Sequence, residues 1–529
     1  MLCVLALLPL SAMASDVPTL MRVAMVTPPD VQIYPLQVMD RDMLSMLGLV
    51  YESLVVINDQ REPEPGLATF EKRTADGRSW AFTLREGVVF HDGRTLTASD
   101  VGATIDAIKA ISALEIPDNE KGMYMNVANM VTSWKAEDDR TIVIQTSRPY
   151  YGFLYAMTFP ILQAQSIAQP NPPGTGPYRI EYYAPGEQLW LAGNQNWYGP
   201  APHVSEVIGI VYDNVEQALT DFEAEDIDIV MTRSSAAARY RGTASSRINS
   251  YDYSTRQLEV LLMNNRSRIF RTNAAKVDEE SGEKLSEGLR EAIIYAINKT
   301  RLSGGVYQNL VTTTDVIQSP AAVNLYNDSV GNYSYNPERA NKILDDLGWD
   351  NYNDKGVRIK RSESGETSEL EIRLNYYNEP GNNLRKEAAN EIVTMLKEIG
   401  ISVKLAGQTF ETAQSKLKQS VSDYDMYLCA YNFDVVPDPS FMLLSDGYAN
   451  YAIYRSHKDV VNTLCKELRA SSEVEEFRLI WQQIQSQVFK DAPFLPLYWR
   501  NGIILTRYPY SSVQDIREFE LLKSLNSYK

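Results

Sequence analysis

The chain has 529 residues, 44% hydrophobic and 22% charged, so it can bury a large core and is expected to divide it among two or three lobes. Its net charge of -17 repels phosphates over most of the surface, which excludes nucleic acid as the expected partner. Three histidines and three cysteines exclude a histidine-rich metal centre and a disulfide scaffold.

In chain order, the first feature is "LCVLALLPLSAMAS", an apolar run ending in Ala12-Met13-Ala14. A short apolar stretch closed by A-x-A predicts an export signal over 1–14, although the usual basic residues do not precede it. Cys3 precedes most of the run, which is the wrong place for a lipidated cysteine. "LMRVAMVT" predicts a buried strand, and "DMLSMLGLVYESLVVIN" a helix passing into a strand. "SWAFTLREGVVF" alternates at Trp80, Phe82 and Leu84, and Glu86-Gly87 then predicts a hairpin. "TASD" (Thr97–Asp100) predicts a capping box, Thr97 accepting from the first turn and Asp100 bonding back, for a helix with Val101, Ile105, Ile108 and Ile111 on one face. "PNPPGTGPY" (170–178) predicts a rigid linker or domain edge.

Further on, "SEVIGIVYDN", "LEVLLMNN", "LEIRLNYYN", "ISVKLAGQ" and "DYDMYLCAYN" predict strands. Between them, "GLREAIIYAINKTRL" and "YNPERANKILDDLGW" predict helices, the second capped by Asn336 with Pro337 at its first position and stopped at Gly348. "RSESGETSE" (361–369) reads as a polar loop, and a last long helix is expected at about 472–490 before "FLPLYW". Helices alternate with strands throughout, which predicts an α/β protein with open sheets.

His91-Asp92 within "FHDGRTLTASD" matches the pair with which one class of metallohydrolases holds its metal. That chemistry needs further ligands, and His203 and His457 lie alone elsewhere. Asp92-Gly93 is a turn dipeptide, so a structural His91 is the preferred reading and the metallohydrolase the alternative from another class. There is no G-x-S-x-G elbow and no phosphate loop; "GTGPY" alone completes neither Gly-rich pattern. A Cys429–Cys465 disulfide is possible by count but is not given by spacing.

"YESLV" (51–55), "WAFTLREGVVFHDGRTLTASDV" (80–101), "GTGPY" (174–178), "NWY" (196–198), "LREAIIYAINK" (289–299), "YNPERANKILDDLGW" (335–349) and "APFLPLY" (492–498) occur in this order. Together they resemble the peptide-type (family 5) extracellular solute-binding proteins of ABC transporters, the oligopeptide- and dipeptide-binding group, over about 20 to 525. The resemblance implies an α/β, bilobed periplasmic-binding-protein-like clamp (type II) with an extra third domain. Lobe one would be 15–50, 172–257 and 490–529, the extra domain 51–171, and lobe two 258–489. It implies a monomer, exported to the periplasm or the outer face of the cell membrane, that captures extended peptides and delivers them to permease subunits. No cofactor, metal, nucleic acid or catalysis is expected.

Peptide-binding members hold the ligand's α-amino group with the Asp of a Trp-x-x-Asp stretch. The matching run here is "YNFDVVPDPS": Tyr431 stands in the Trp position and Asp434 in the Asp position, with Asn432 between them. Asp434 is therefore the expected amine anchor and Tyr431 a wall of the pocket, whose shape the Trp-to-Tyr change alters. Asp438 is the alternative anchor, since Asp434 or Asp438 also suits a turn cap; Tyr34 and Tyr376, near strand ends, complete the candidate set. The alternatives within the same fold are a non-peptide solute (a metal chelate or an oligosaccharide) and a sensory receptor.

Overall fold

The computed structural model describes residues 19–508 and Leu522, apart from 32, 117–119, 242–247, 278–283, 379–382, 420–423, 452 and 455–458. The expected signal 1–14, Cys3 and His457 thus lie outside the described residues.

Two long strands, Asn249–Met263 and Phe494–Thr506, pair antiparallel at the centre of an eleven-stranded sheet. To one side lie Met426–Asn432, Glu371–Tyr377 and Ser402–Gln408, joined by parallel pairings, the last two across the helix Leu384–Glu398. To the other side come Ile229–Thr232, Leu20–Met25 and Glu206–Val211, also parallel, then the antiparallel strands Gln188–Gly193 and Tyr178–Ala184. Each group is a crossover α/β unit with helices on its faces, so the molecule is an α/β bilobed clamp built on one sheet.

The seam between the lobes is visible in the register. Asn249 to Ser254 pair with Thr506 to Asn501, and pairing resumes at Leu258↔Trp499. Thr255, Arg256 and Gln257 thus face the single residue Arg500, a bulge in mid-sheet. Thr255 Oγ1 bridges it, donating to Arg500 O (2.8 Å) and accepting from Gln257 N (3.2 Å). Strand Ile229–Thr232 pairs with 503–506, on one side of the bulge, and Met426–Asn432 with 257–263, on the other.

The extra domain is a four-stranded antiparallel sheet in the order Ala68–Lys72, Ser79–Leu84, Thr141–Thr146, Val131–Ala136, covered by the helix Ala98–Ser112. Val101, Ile105 and Ile108 of that helix and Phe82, Ile142 and Ile144 of the sheet are fully buried, which is the alternation and helical spacing of the sequence realised as packing. Thr97 and Asp100 form the expected capping box, Asp100 accepting from Thr97 N (2.9 Å), and the Thr97 hydroxyl also donates to that carboxylate (2.7 Å).

Three local expectations are corrected. No hairpin forms at Glu86-Gly87: Ser79–Leu84 pairs with Ala68–Lys72 and Thr141–Thr146, while the backbone after Gly87 makes a single bridge, Val89↔Thr95, and binds Gly174 through His91 N (2.9 Å). Residues 361–369 are not a plain loop, since Arg358–Arg361 and Thr367–Glu369 pair as a hairpin around Gly365, whose φ of +83° suits the turn. The helix expected over 288–302 stops at Ala296; Asn298 then accepts from Arg301 N (2.9 Å) and caps a new turn.

Candidate functional site

A cleft of about 840 Å³ opens along the seam. Ser254, Thr255, Arg256 and Trp499 line it from the seam itself. Glu52, Arg85 and Tyr124 line it from the side of lobe one and the extra domain, and Gln318, Phe433 and Asp434 from lobe two.

Asp434 follows the strand Met426–Asn432. The Asn126 side-chain amide, reaching over from the extra domain, donates to its Oδ2 at 2.6 Å, and Arg256 Nη1 lies 3.9 Å from Oδ1. Protein surrounds the carboxylate on most sides, yet 37% of its side-chain surface remains open to the cleft. Burial raises its pKa above the ordinary carboxylate value, with Arg256, two backbone N–H groups and Asn126 pulling it back. An acceptor placed so, partly desolvated but reachable, suits a cationic group of a ligand.

The other five candidate residues do not line the cleft. Tyr431 is buried, donates to Ala449 O (3.1 Å) and stacks on Tyr451 (5.8 Å between rings). Asn432 accepts from Gln257 Nε2 (3.1 Å) at the end of the strand pair. Asp438 caps Ser440 N (2.9 Å) and pairs with Arg469 (3.4 Å), the turn role open to it from the sequence. Tyr34 donates to Ile167 O (2.9 Å), and it is Pro35 that lines the cleft; Tyr376 belongs to the lobe-two core.

Sequence reasoning did not find Arg256 and Trp499 as cleft residues. Trp197 and Tyr198, quoted there only within a family motif, also line the cleft and orient Glu52, donating to its carboxylate at 3.4 and 2.7 Å. The neighbouring aromatics of "NWY" were the available signal.

His91 lies away from this cleft. Gly174 N donates to its Nδ1 (3.2 Å), so Nε2 carries the proton and donates to Gly176 O (3.1 Å). The "GTGPY" loop it holds is glycine-bound for packing: a Cβ on Gly174 would lie 2.1 Å from Val50 O. Among the described residues no group of three or more His, Cys, Asp or Glu is placed to hold a metal, and no helix is long and apolar enough to cross a membrane. Cys429 and Cys465 are separate buried thiols, each pushed up to about 12 by burial.

The walls are also tied to each other. Lys72 pairs with Glu473 and Arg478 with Glu62, and Tyr151 N donates to Ser471 O (2.7 Å). With Asn126–Asp434 these contacts join the extra domain to lobe two.

Residues 62–452 match the model of the bacterial extracellular solute-binding proteins, family 5. The nickel-binding periplasmic protein of Escherichia coli is 22% identical over 90% of this chain and 89% of its own. The oligopeptide-binding protein AppA of Bacillus subtilis is 21% identical over 89% of this chain and 86% of its own. The solved structure of that protein with a nonapeptide matches at a TM-score of 0.65 and 19% identity, covering 95% of this chain and 98% of the other. The ABC transporter substrate-binding protein CtaP of Listeria monocytogenes matches at a TM-score of 0.76 and 20% identity, covering 96% and 98%.

Proposed function

The chain belongs to the bacterial extracellular solute-binding proteins of family 5, and from that premise we propose that it is the substrate-binding component of an ABC importer, closing its lobes on an extended peptide and handing it to a membrane permease. The observation that carries this reading is Asp434, a partly open carboxylate at a strand end in a cleft of about 840 Å³ lined from both lobes. An extended peptide would put its ammonium on Asp434 and run its backbone along the seam, its side chains in the remaining space. Ligand drives closure only by binding the closed form more tightly, so no bond is broken and the chain acts as a carrier, not an enzyme. It works outside the cytoplasm as a monomer.

We propose the domain bounds expected from the sequence with one change: residues 490–499 are counted with lobe two, a reading supported by the pairing of 494–499 with 258–262. A metal chelate is the second reading: a nickel-binding relative matches over a similar span, and Arg61, Arg85 and Arg256 line the cleft where anionic oxygens would dock.

Titration calorimetry with trialanine and N-acetyltrialanine tests the proposal. Asp434→Asn is expected to weaken the free-amine peptide about 10- to 100-fold, as loss of a charge-assisted hydrogen bond does, and to leave the acetylated one almost unchanged. Equal weakening of both would remove Asp434 as the anchor. Uptake of a metal chelate but of neither peptide would favour the second reading.

A further inference from the structure

Trp499 is 3% exposed and lines the cleft, and its indole N–H has no hydrogen-bond partner among the described residues. An indole N–H can only donate, and a buried donor without an acceptor is rare in a folded protein. Looseness does not explain it. The backbone of Trp499 is paired on both sides, with Leu258 and with Thr312, and its ring packs against Phe433 with centroids 5.3 Å apart.

Arg256, the middle residue of the seam bulge, lines the same cleft. Its carbonyl accepts from Phe433 N (2.8 Å), which ties the bulge to the loop carrying Asp434, and its guanidinium reaches to 3.9 Å from that carboxylate. Residues carrying two donors and one acceptor, from three separate segments, thus line one cleft.

We propose that Trp499 and Arg256 form the oxygen-reading half of the site: the Trp499 N–H, with the Arg256 guanidinium beside it, binds the first carbonyl or carboxylate oxygen of an α-amino compound whose ammonium sits on Asp434. The inference rests on the reading of Asp434 as the amine anchor and adds the ligand class. An α-aminoacyl group carries its ammonium and its C=O on adjacent carbons, so one compact unit meets the acceptor and the donors together. The selected feature is the α-aminoacyl end itself, whatever side chain it bears. A peptide N-terminus and a free α-amino acid share it.

The test is calorimetry on the purified chain with trialanine, with its analogue carrying a thioamide at the first peptide bond, and with free alanine. A thiocarbonyl sulfur is a poor acceptor in the same place. The wild type is expected to bind the thioamide about tenfold more weakly than trialanine. In Trp499→Phe, which keeps a ring and deletes the N–H, trialanine should fall to the level of the thioamide. No gap in the wild type, or a gap that persists in Trp499→Phe, overturns the inference and leaves the peptide reading standing. If the wild type takes up neither trialanine nor alanine, the peptide reading falls and this inference with it. Alanine binding with the same dependence on Trp499 supports it with a free amino acid as the source; trialanine alone supports it with a peptide end.

Discussion

Both ring nitrogens of His91 are committed, and only a neutral imidazole, with one N–H and one lone pair, can serve Gly174 N and Gly176 O together. Burial, helped by Arg179, holds its pKa below the ordinary histidine value against the pull of Gly176 O and Asp92. The sign follows from that depression. Above about pH 6.5 neither folded nor unfolded chain protonates the ring; below it the unfolded chain gains a proton that the folded chain resists, so stability is lost as pH falls. The melting temperature is expected to drop between about pH 7 and pH 5, and the drop should be shallower in His91→Gln, which should itself melt lower at pH 7. Parallel pH profiles for the two proteins would refute the role. At this scale the sequence was readable where a residue's neighbours are local. His91 was read as structural from the turn dipeptide beside it, and its two backbone hydrogen bonds fit that reading, whereas the partners that placed Trp499 and Arg256 in the cleft lie about 240 residues apart along the chain.

Asp100 carries the start of the Ala98–Ser112 helix and more. Its Oδ2 accepts from Thr97 N and its Oδ1 from Ala164 N (both 2.9 Å), so one side chain serves the helix N-terminus and the turn packed on it. Asp100→Ala leaves two backbone donors without this acceptor and is expected to cost about 2–3 kcal/mol in denaturant unfolding. A loss below about 0.5 kcal/mol would mean that water replaces the carboxylate at both amides. Elements with their own signals were legible from sequence: Asn336 and Pro337 open the helix Pro337–Asp346, and Gly348 follows it at φ +82°. The seam bulge was not legible, because a register slip depends on which strand lies opposite, and nothing within 249–263 states that.

At the scale of the molecule, Asn126 and Asp434 bring the extra domain and lobe two within hydrogen-bond distance across the cleft. Asn126→Asp sets two carboxylates at that contact and is expected to disfavour the closed form by about 1 kcal/mol, several-fold in the closed-to-open ratio. Small-angle scattering of the variant should show a larger radius of gyration than the wild type near neutral pH, the difference shrinking in acid as one carboxyl takes up a proton. Identical radii would mean that the Asn126 contact does not bias closure. The alternation of helices and strands announced the α/β class, and the resemblance supplied the two lobes. That they share one sheet came from pairings between the middle of the chain and its end.

That sharing has a consequence for how the chain acquires its structure. Phe494–Thr506 lies between Asn249–Met263 and Ile229–Thr232, so neither half of the sheet is complete until residues 494–506 are available. Pairings this distant in sequence close late and slowly. During synthesis several hundred residues wait for their final partner, with sheet edges open and apolar faces only partly covered. A chain shortened before residue 494 would lose the strand that joins its halves, so this strand governs when the molecule folds.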